Sequence, residues 1–211
     1  MKKKIVIVDY GLGNIVSAQQ SFLKVIQDNF FDAEVVVSNQ PSDIHDSSHI
    51  VLPGQGAFSS CIGSLKNIFG MIRALEENVL INKKPFLGIC VGMQLLAEKG
   101  YENGVHQGLG WIKGSIKKLV VNKLKLPHMG WNNIQLINNS YEMRFNQKKN
   151  DYYFVHSYFF DCFDEKNIIA STQYGLDFPS IVGKENIYGV QFHPEKSSEQ
   201  GLGLIKNFLS L

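Results

Sequence analysis

Cysteine is scarce in this chain, and the scarcity bounds its chemistry. Only Cys61, Cys90 and Cys162 carry thiols among 211 residues. They form no C-x-x-C pair and leave an odd thiol, which argues against a disulfide framework and against a zinc site, and suits a reducing compartment. A dominant charge is missing as well. Lys and Arg total 21 against 19 Asp and Glu, a net charge of +2, and the densest basic run, "KKLVVNKLK", alternates like a strand instead of clustering like a nucleic-acid arm. No nucleic-acid partner is expected. The start, "MKKKIVIVDYG", has four apolar residues between its basic head and Asp9, too few for a signal peptide or a membrane span. A cytoplasmic location without membrane contact is therefore expected. Extremes of composition are absent too: 44% hydrophobic and 19% charged residues are globular values, and no repeat, low-complexity tract or linker divides the chain. One domain spanning 1–211 is expected.

What is present is a rhythm. "KIVIV" reads as a buried strand, and Ile15, Ala18, Phe22 and Val25 or Ile26 recur at helical spacing after it. "AEVVVSN" and "HIVLPGQG" are two further strands, residues 59–82 are mostly helical, "KPFLGI" is a fourth strand, and "VGMQLLAEK" is its following helix. Continuous apolar strands alternating with helices predict an α/β fold, with a mostly parallel open sheet covered on both faces. From Trp111 onward the runs are short, aromatic and β-branched: "WIKGSIKKLVV", "NNIQLI", "DYYFVHSYFF", "IIASTQY" and "PSIVGKENIYGVQF". These predict added antiparallel strands, with "GKEN" as a hairpin turn. The chain closes on a helix over 198–209, with Ser197 and Gln200 spaced as a capping box.

Three motifs carry chemistry. "GICVG" has the spacing of a nucleophile elbow with Cys90 at the attacking position. A strand turning sharply into a helix there leaves no room for side chains at Gly88 and Gly92, sets the sulfur at a helix start that favours thiolate, and aims the Val91 N–H at the same place. Cys61 and Cys162 read as small packed hydrophobes instead. "PGQG" follows a strand, lacks the third glycine of a dinucleotide loop, and serves equally as a turn or as backbone N–H groups facing a developing anion. "HPEKS" sets Glu195 two residues beyond His193, on one face if the backbone is extended, so that the carboxylate can orient an imidazole base. His45, His49 and His106 read as surface histidines without a partner.

On "GICVGMQLL", "LPGQGAF" and "HPEKS" the chain resembles the class I glutamine amidotransferases of the triad type, whose fold is flavodoxin-like. On "DYGLGN", "GLGW", "LPHMGWN", "YFVHSY", "YGVQFHPEKS" and "GLGLIKNF", in order and almost end to end, it resembles more closely the glutaminase subunits of imidazole glycerol phosphate synthase. The resemblance implies hydrolysis of L-glutamine to glutamate and ammonia through a glutamyl thioester on Cys90. His193 would be acid and base, Glu195 its orienting carboxylate, and the N–H groups of Val91 and the Gly54–Gly56 loop the oxyanion donors. Gln94, Ser157 and Tyr158 would hold the amino-acid end of glutamine. No metal or cofactor is implied. The implied partner is a (β/α)8-barrel cyclase subunit, forming a heterodimer through Asn14, Trp131, Asn132 and Lys196; Trp131 is equally compatible with core packing on composition. Two alternatives share the motifs, a glutaminase serving a sugar-amidating synthase of surface-polysaccharide pathways and a catalytically dead docking subunit. Gln55 departs from the family in standing where an apolar loop residue is more usual.

Overall fold

The computed structural model describes residues 2–122, 124–138, 143 and 150–211; Lys123 of the basic run lies outside them. The strands, in chain order, are β1 (Lys3–Val8), β2 (Ala33–Ser38), β3 (His49–Gly54), β4 (Phe86–Cys90), β5 (Lys99–Gly100), β6 (His106–Gln107), β7 (Gly114–Lys118), β8 (His128–Asn133), β9 (Gln135–Leu136), β10 (Asp151–His156), β11 (Tyr158–Cys162), β12 (Ile168–Tyr174), β13 (Leu176–Lys184) and β14 (Ile187–Val190). The helices are α1 (Ile15–Asn29), α2 (Pro41–Asp46), α3 (Phe58–Asn67), α4 (Met71–Glu76), α5 (Val91–Gln94) and α6 (Ser198–Leu209).

Buried apolar runs build the centre. Every residue of β3, β4 and β14 is buried, as strands covered on both faces require. The main sheet has eight strands in the order β2-β1-β3-β4-β14-β13-β12-β9. Its first five run parallel, and β13, β12 and β9 add antiparallel neighbours. The "GKEN" turn is present, with Lys184 paired to Ile187 and Glu185 at φ 54°. Two smaller sheets flank this one: β10 pairs antiparallel with β8, and β11, β7, β5 and β6 form the other.

The crossover from β1 to β2 runs toward one edge and the crossovers β2 to β3 and β3 to β4 run toward the other. Right-handed connections therefore place α1 on one face and α2 to α4 on the opposite face. α1 buries Ala18, Phe22 and Val25, and Phe22 meets Phe208 of α6 edge-on at 6.3 Å. No helix among the described residues is long and apolar enough to cross a membrane.

Four local features depart from the sequence reading. The helix after Cys90 is one turn, not nine residues, because the carbonyls of Leu95, Leu96, Ala97 and Glu98 accept hydrogen bonds from the backbone N–H groups of Leu109, Ile112, Gly110 and Gly108. Those carbonyls are diverted before a second turn can use them. A short helix, α2, forms between the second and third strands, where the sequence reading assigned no element, with Pro41 at its first position. His49 is buried, edge-on to Phe208 at 5.3 Å, and burial pushes its imidazole down to about 4. Ser197 makes no side-chain cap for α6. Its hydroxyl donates to the His193 carbonyl at 2.6 Å and accepts from the Tyr153 N–H at 3.0 Å.

Candidate active site

Open α/β sheets bind ligands beyond the carboxyl ends of their strands, near the point where strand order reverses. Here the order reverses between β1 and β3, and Gly54, Cys90 and His193 lie at or just past the ends of β3, β4 and β14. Cys90 pairs in register with Gly54 and leaves β4 at φ 55°, ψ −110°, a conformation that an L-residue holds only under strain of about 1–3 kcal/mol. The glycines on either side explain how the elbow closes. A Cβ on Gly92 would lie 1.8 Å from the Leu52 carbonyl oxygen, and one on Gly88 would lie 2.6 Å from the Gly92 carbonyl oxygen. Side chains at either position would hold β4, α5 and β3 apart.

His193 arrives from the other side. Its N–H donates to the Tyr153 carbonyl at 2.9 Å and its carbonyl accepts from Ser197, so β10 and the start of α6 fix its backbone. Glu195 lies on a 3-10 turn over Pro194–Lys196 instead of an extended strand, and the turn still brings its Oε1 to His193 Nδ1 at 2.8 Å. Both side chains are nearly sealed, 4% and 3% exposed. A carboxylate accepts, so Nδ1 carries the proton and Nε2 is the free face of the ring. Nε2 is buried without a hydrogen-bond partner among the described residues, and the Cys90 sulfur acts on the ring through its charge. Burial alone would push His193 down, but the Cys90 sulfur and then Glu195 outweigh it and hold the imidazole up at about 10. Asn14, expected at a partner interface, directs its Nδ2 to Glu195 Oε1 at 3.4 Å.

A cleft of about 250 Å³ opens over the sulfur, lined by Gln55, Gly56, Cys90, Val91, Gln94 and Glu102 and by Pro127, Val155 to Tyr158, His193 and Lys196. Gly56, at φ 105°, and Val91 reach this cleft; Gly54 does not, and its missing Cβ instead makes room for the Gly92 nitrogen at 2.6 Å. Beneath the loop the Tyr10 hydroxyl donates to the Pro53 carbonyl at 2.8 Å and the Cys61 thiol to the Gln55 carbonyl at 3.4 Å, so both carbonyls turn inward. Ser157 and Tyr158 form one wall. Gln94, 3% exposed, donates through Nε2 to the Tyr158 carbonyl at 3.1 Å and to Gln191 Oε1 at 3.0 Å.

Two site residues escaped the sequence reading. Gln191 is fully buried and points its Nε2 at the Cys90 sulfur from 3.8 Å; its place in "GVQFHPE", two residues before His193, was the available signal. Glu102 brings a carboxylate to the cleft wall, where Oε2 accepts from the Phe58 N–H at 2.7 Å. The remaining interface candidates divide. Trp131 is 53% exposed with its edge on Tyr153, so it is not a core residue, and Lys196 stands at the cleft rim. Asn132 turns inward, donating to His128 Nε2 at 3.1 Å and to the Gln173 carbonyl at 3.0 Å.

The family described as glutamine amidotransferase class-I matches residues 6–210. The chain belongs to that family. It is 46% identical to the imidazole glycerol phosphate synthase subunit HisH of Pelagibacter ubique (strain HTCC1062), over 98% of this chain and 99% of that one. The subunit of the same name from Zymomonas mobilis is 45% identical over 97% of this chain and 94% of its own. Among solved structures, a glutamine amidotransferase from Thermotoga maritima superposes with a TM-score of 0.62 at 16% identity, covering 100% of this chain and 84% of that one. That likeness shows the shared α/β fold. As a class I glutamine amidotransferase, the chain is an enzyme whose nitrogen donor is glutamine.

Proposed function

We propose that this amidotransferase is the glutaminase subunit of an imidazole glycerol phosphate synthase, hydrolysing L-glutamine and passing ammonia to a cyclase subunit in histidine biosynthesis. The observation that carries the chemistry is the meeting of Cys90 and His193 at one cleft, from segments about a hundred residues apart in sequence, with Glu195 hydrogen-bonded to the far side of the imidazole. The Cys90 thiolate attacks the side-chain amide carbon of glutamine, and the carbonyl electron pair moves onto oxygen. The N–H groups of Val91 and of the Gln55–Gly56 loop face that oxyanion. Collapse breaks the C–N bond, and His193 delivers its proton to the departing nitrogen, leaving a glutamyl thioester. A water molecule then gives its proton to His193 as its oxygen attacks the thioester, and a second collapse releases glutamate and restores the thiolate–imidazolium pair. Glu195 holds the ring in the tautomer that both steps need.

The cleft suits the rest of the substrate. Glu102 offers a negative charge for the α-ammonium of glutamine, Ser157 and Tyr158 offer polar groups for its carboxylate, and Gln94, with its side-chain nitrogen already donated, offers its Oε1 as an acceptor. Ammonia released into water would be protonated and lost, so a partner over the cleft mouth is part of the reading. Met129 and Trp131, 61% and 53% exposed on the outer face of β8, are apolar surface suited to such a partner. The test is glutamate release with and without the cyclase partner together with its ribonucleotide substrate. Stimulation by both is expected, and glutamine hydrolysis indifferent to them would overturn the histidine-pathway assignment.

A further inference from the structure

His128 and His156 lie outside the reaction, yet both are buried beside it, 3% and 5% exposed. Their hydrogen bonds admit one assignment of protons. His156 Nδ1 lies 2.8 Å from the Tyr158 carbonyl, which only accepts, so Nδ1 carries the proton and Nε2 is an acceptor. His128 Nδ1, 2.9 Å from that Nε2, must then donate, which leaves His128 Nε2 to accept from Asn132 at 3.1 Å. The Tyr158 carbonyl takes a second hydrogen bond from Gln94, Gln94 also donates to Gln191, and Gln191 donates to the Cys90 sulfur. An unbroken chain thus runs from β8 to the nucleophile. Side chains on β8 alternate, so Met129 and Trp131 face outward on the strand whose inward residues, His128 and Asn132, begin the chain.

We infer that His128 and His156 are positioning residues: a neutral imidazole pair that fixes the Ser157–Tyr158 wall and the Gln94–Gln191 amides relative to Cys90, and ties that wall to the outward face of β8. This rests on the glutaminase reading of the cleft. Neutrality is supported by burial, which pushes His128 down to about 4 and, outweighing the Tyr158 carbonyl's pull toward the charged form, pushes His156 to about 3. A proton on either ring would place donor against donor and break the chain. The stack around His128, with Tyr174 at 4.0 Å and Phe154 at 4.9 Å, holds the ring in place but does not require its nitrogens.

That distinction supplies the experiment. His128→Phe keeps an aromatic ring in the stack and loses the donor to His156; His128→Asn loses the ring and keeps an amide N–H near the Nδ1 position. The full chain is alkylated at Cys90 by two probes, a chloroketone analogue of glutamine, which must be held by its amino-acid end, and iodoacetamide, which need not be. In His128→Phe, chloroketone labelling should slow about tenfold, the scale of one buried hydrogen bond, with iodoacetamide labelling within about twofold of wild type, and His128→Asn should restore it. Labelling that follows the ring instead, or that is equal in both variants, overturns the inference. Should His128→Asn not fold, His128→Phe decides alone: an unchanged chloroketone rate overturns it. A wild-type chain that the chloroketone does not label would instead count against the glutaminase reading itself.

Discussion

At the scale of single residues, His193 is held between opposing influences. Burial favours the neutral ring, while the Cys90 sulfur, followed by Glu195, favours the charged one. Cys90→Ala removes the larger of the two supports. The His193 ring should then titrate well below about 10, and proton NMR of the imidazole would show it; a titration unmoved by Cys90→Ala would mean that the two groups do not interact. In the proposed mechanism Glu195→Gln removes the carboxylate from His193 Nδ1 and should lower glutamine turnover by roughly 10²- to 10⁴-fold, with KM changed little, because Glu195 meets His193 and does not line the cleft. Much of this was legible in the sequence. "GICVG" and "HPE" are local patterns whose geometry follows from a few residues, and the structure brings Cys90 and His193 to one cleft with Glu195 against the imidazole. Gln191 and Glu102 were not, because a lone glutamine or glutamate acquires meaning only from what folding sets against it.

At the scale of elements, the strand–elbow–helix unit depends on bare backbone. Gly92→Ala would force a methyl group to 1.8 Å from the Leu52 carbonyl oxygen, which is backbone and has no rotamer by which to yield. The variant should lose stability by about 1–3 kcal/mol or more, and Cys90 labelling with it. Gly63 of α3 offers the contrast, with nothing within 4 Å of a built Cβ. Gly63→Ala should stabilise the chain by about 0.5–1 kcal/mol, because alanine has less backbone freedom to lose in a helix. Denaturant melts of both variants check the pair. The strands were legible because β3 and β4 are continuous apolar runs. The length of α5 and the use of Ser197 were not, since both are decided by distant backbone, 108–112 in one case and Tyr153 in the other.

For the whole molecule, three buried histidines set the response to acid. His49, His128 and His156 are held down to about 4, about 4 and about 3, below the ordinary value of 6.5. The unfolded chain therefore binds their protons first, so the stability they carry is complete above pH 6.5 and drains away as pH falls toward 4 and 3. Tm should drop steeply across that window, and His49→Phe, which keeps an aromatic partner for Phe208, should flatten the drop; an equally steep fall in that variant would contradict the assignment. The central claim is that Cys90 carries the glutamyl group during glutamine hydrolysis. Its most direct test is acid-quenched mass spectrometry of the chain turning over glutamine in the presence of the proposed cyclase partner. A glutamyl adduct on the Cys90 peptide, absent from Cys90→Ala together with glutamate release, is the predicted result; glutamate release that persists in Cys90→Ala, or an adduct on another residue, would contradict it.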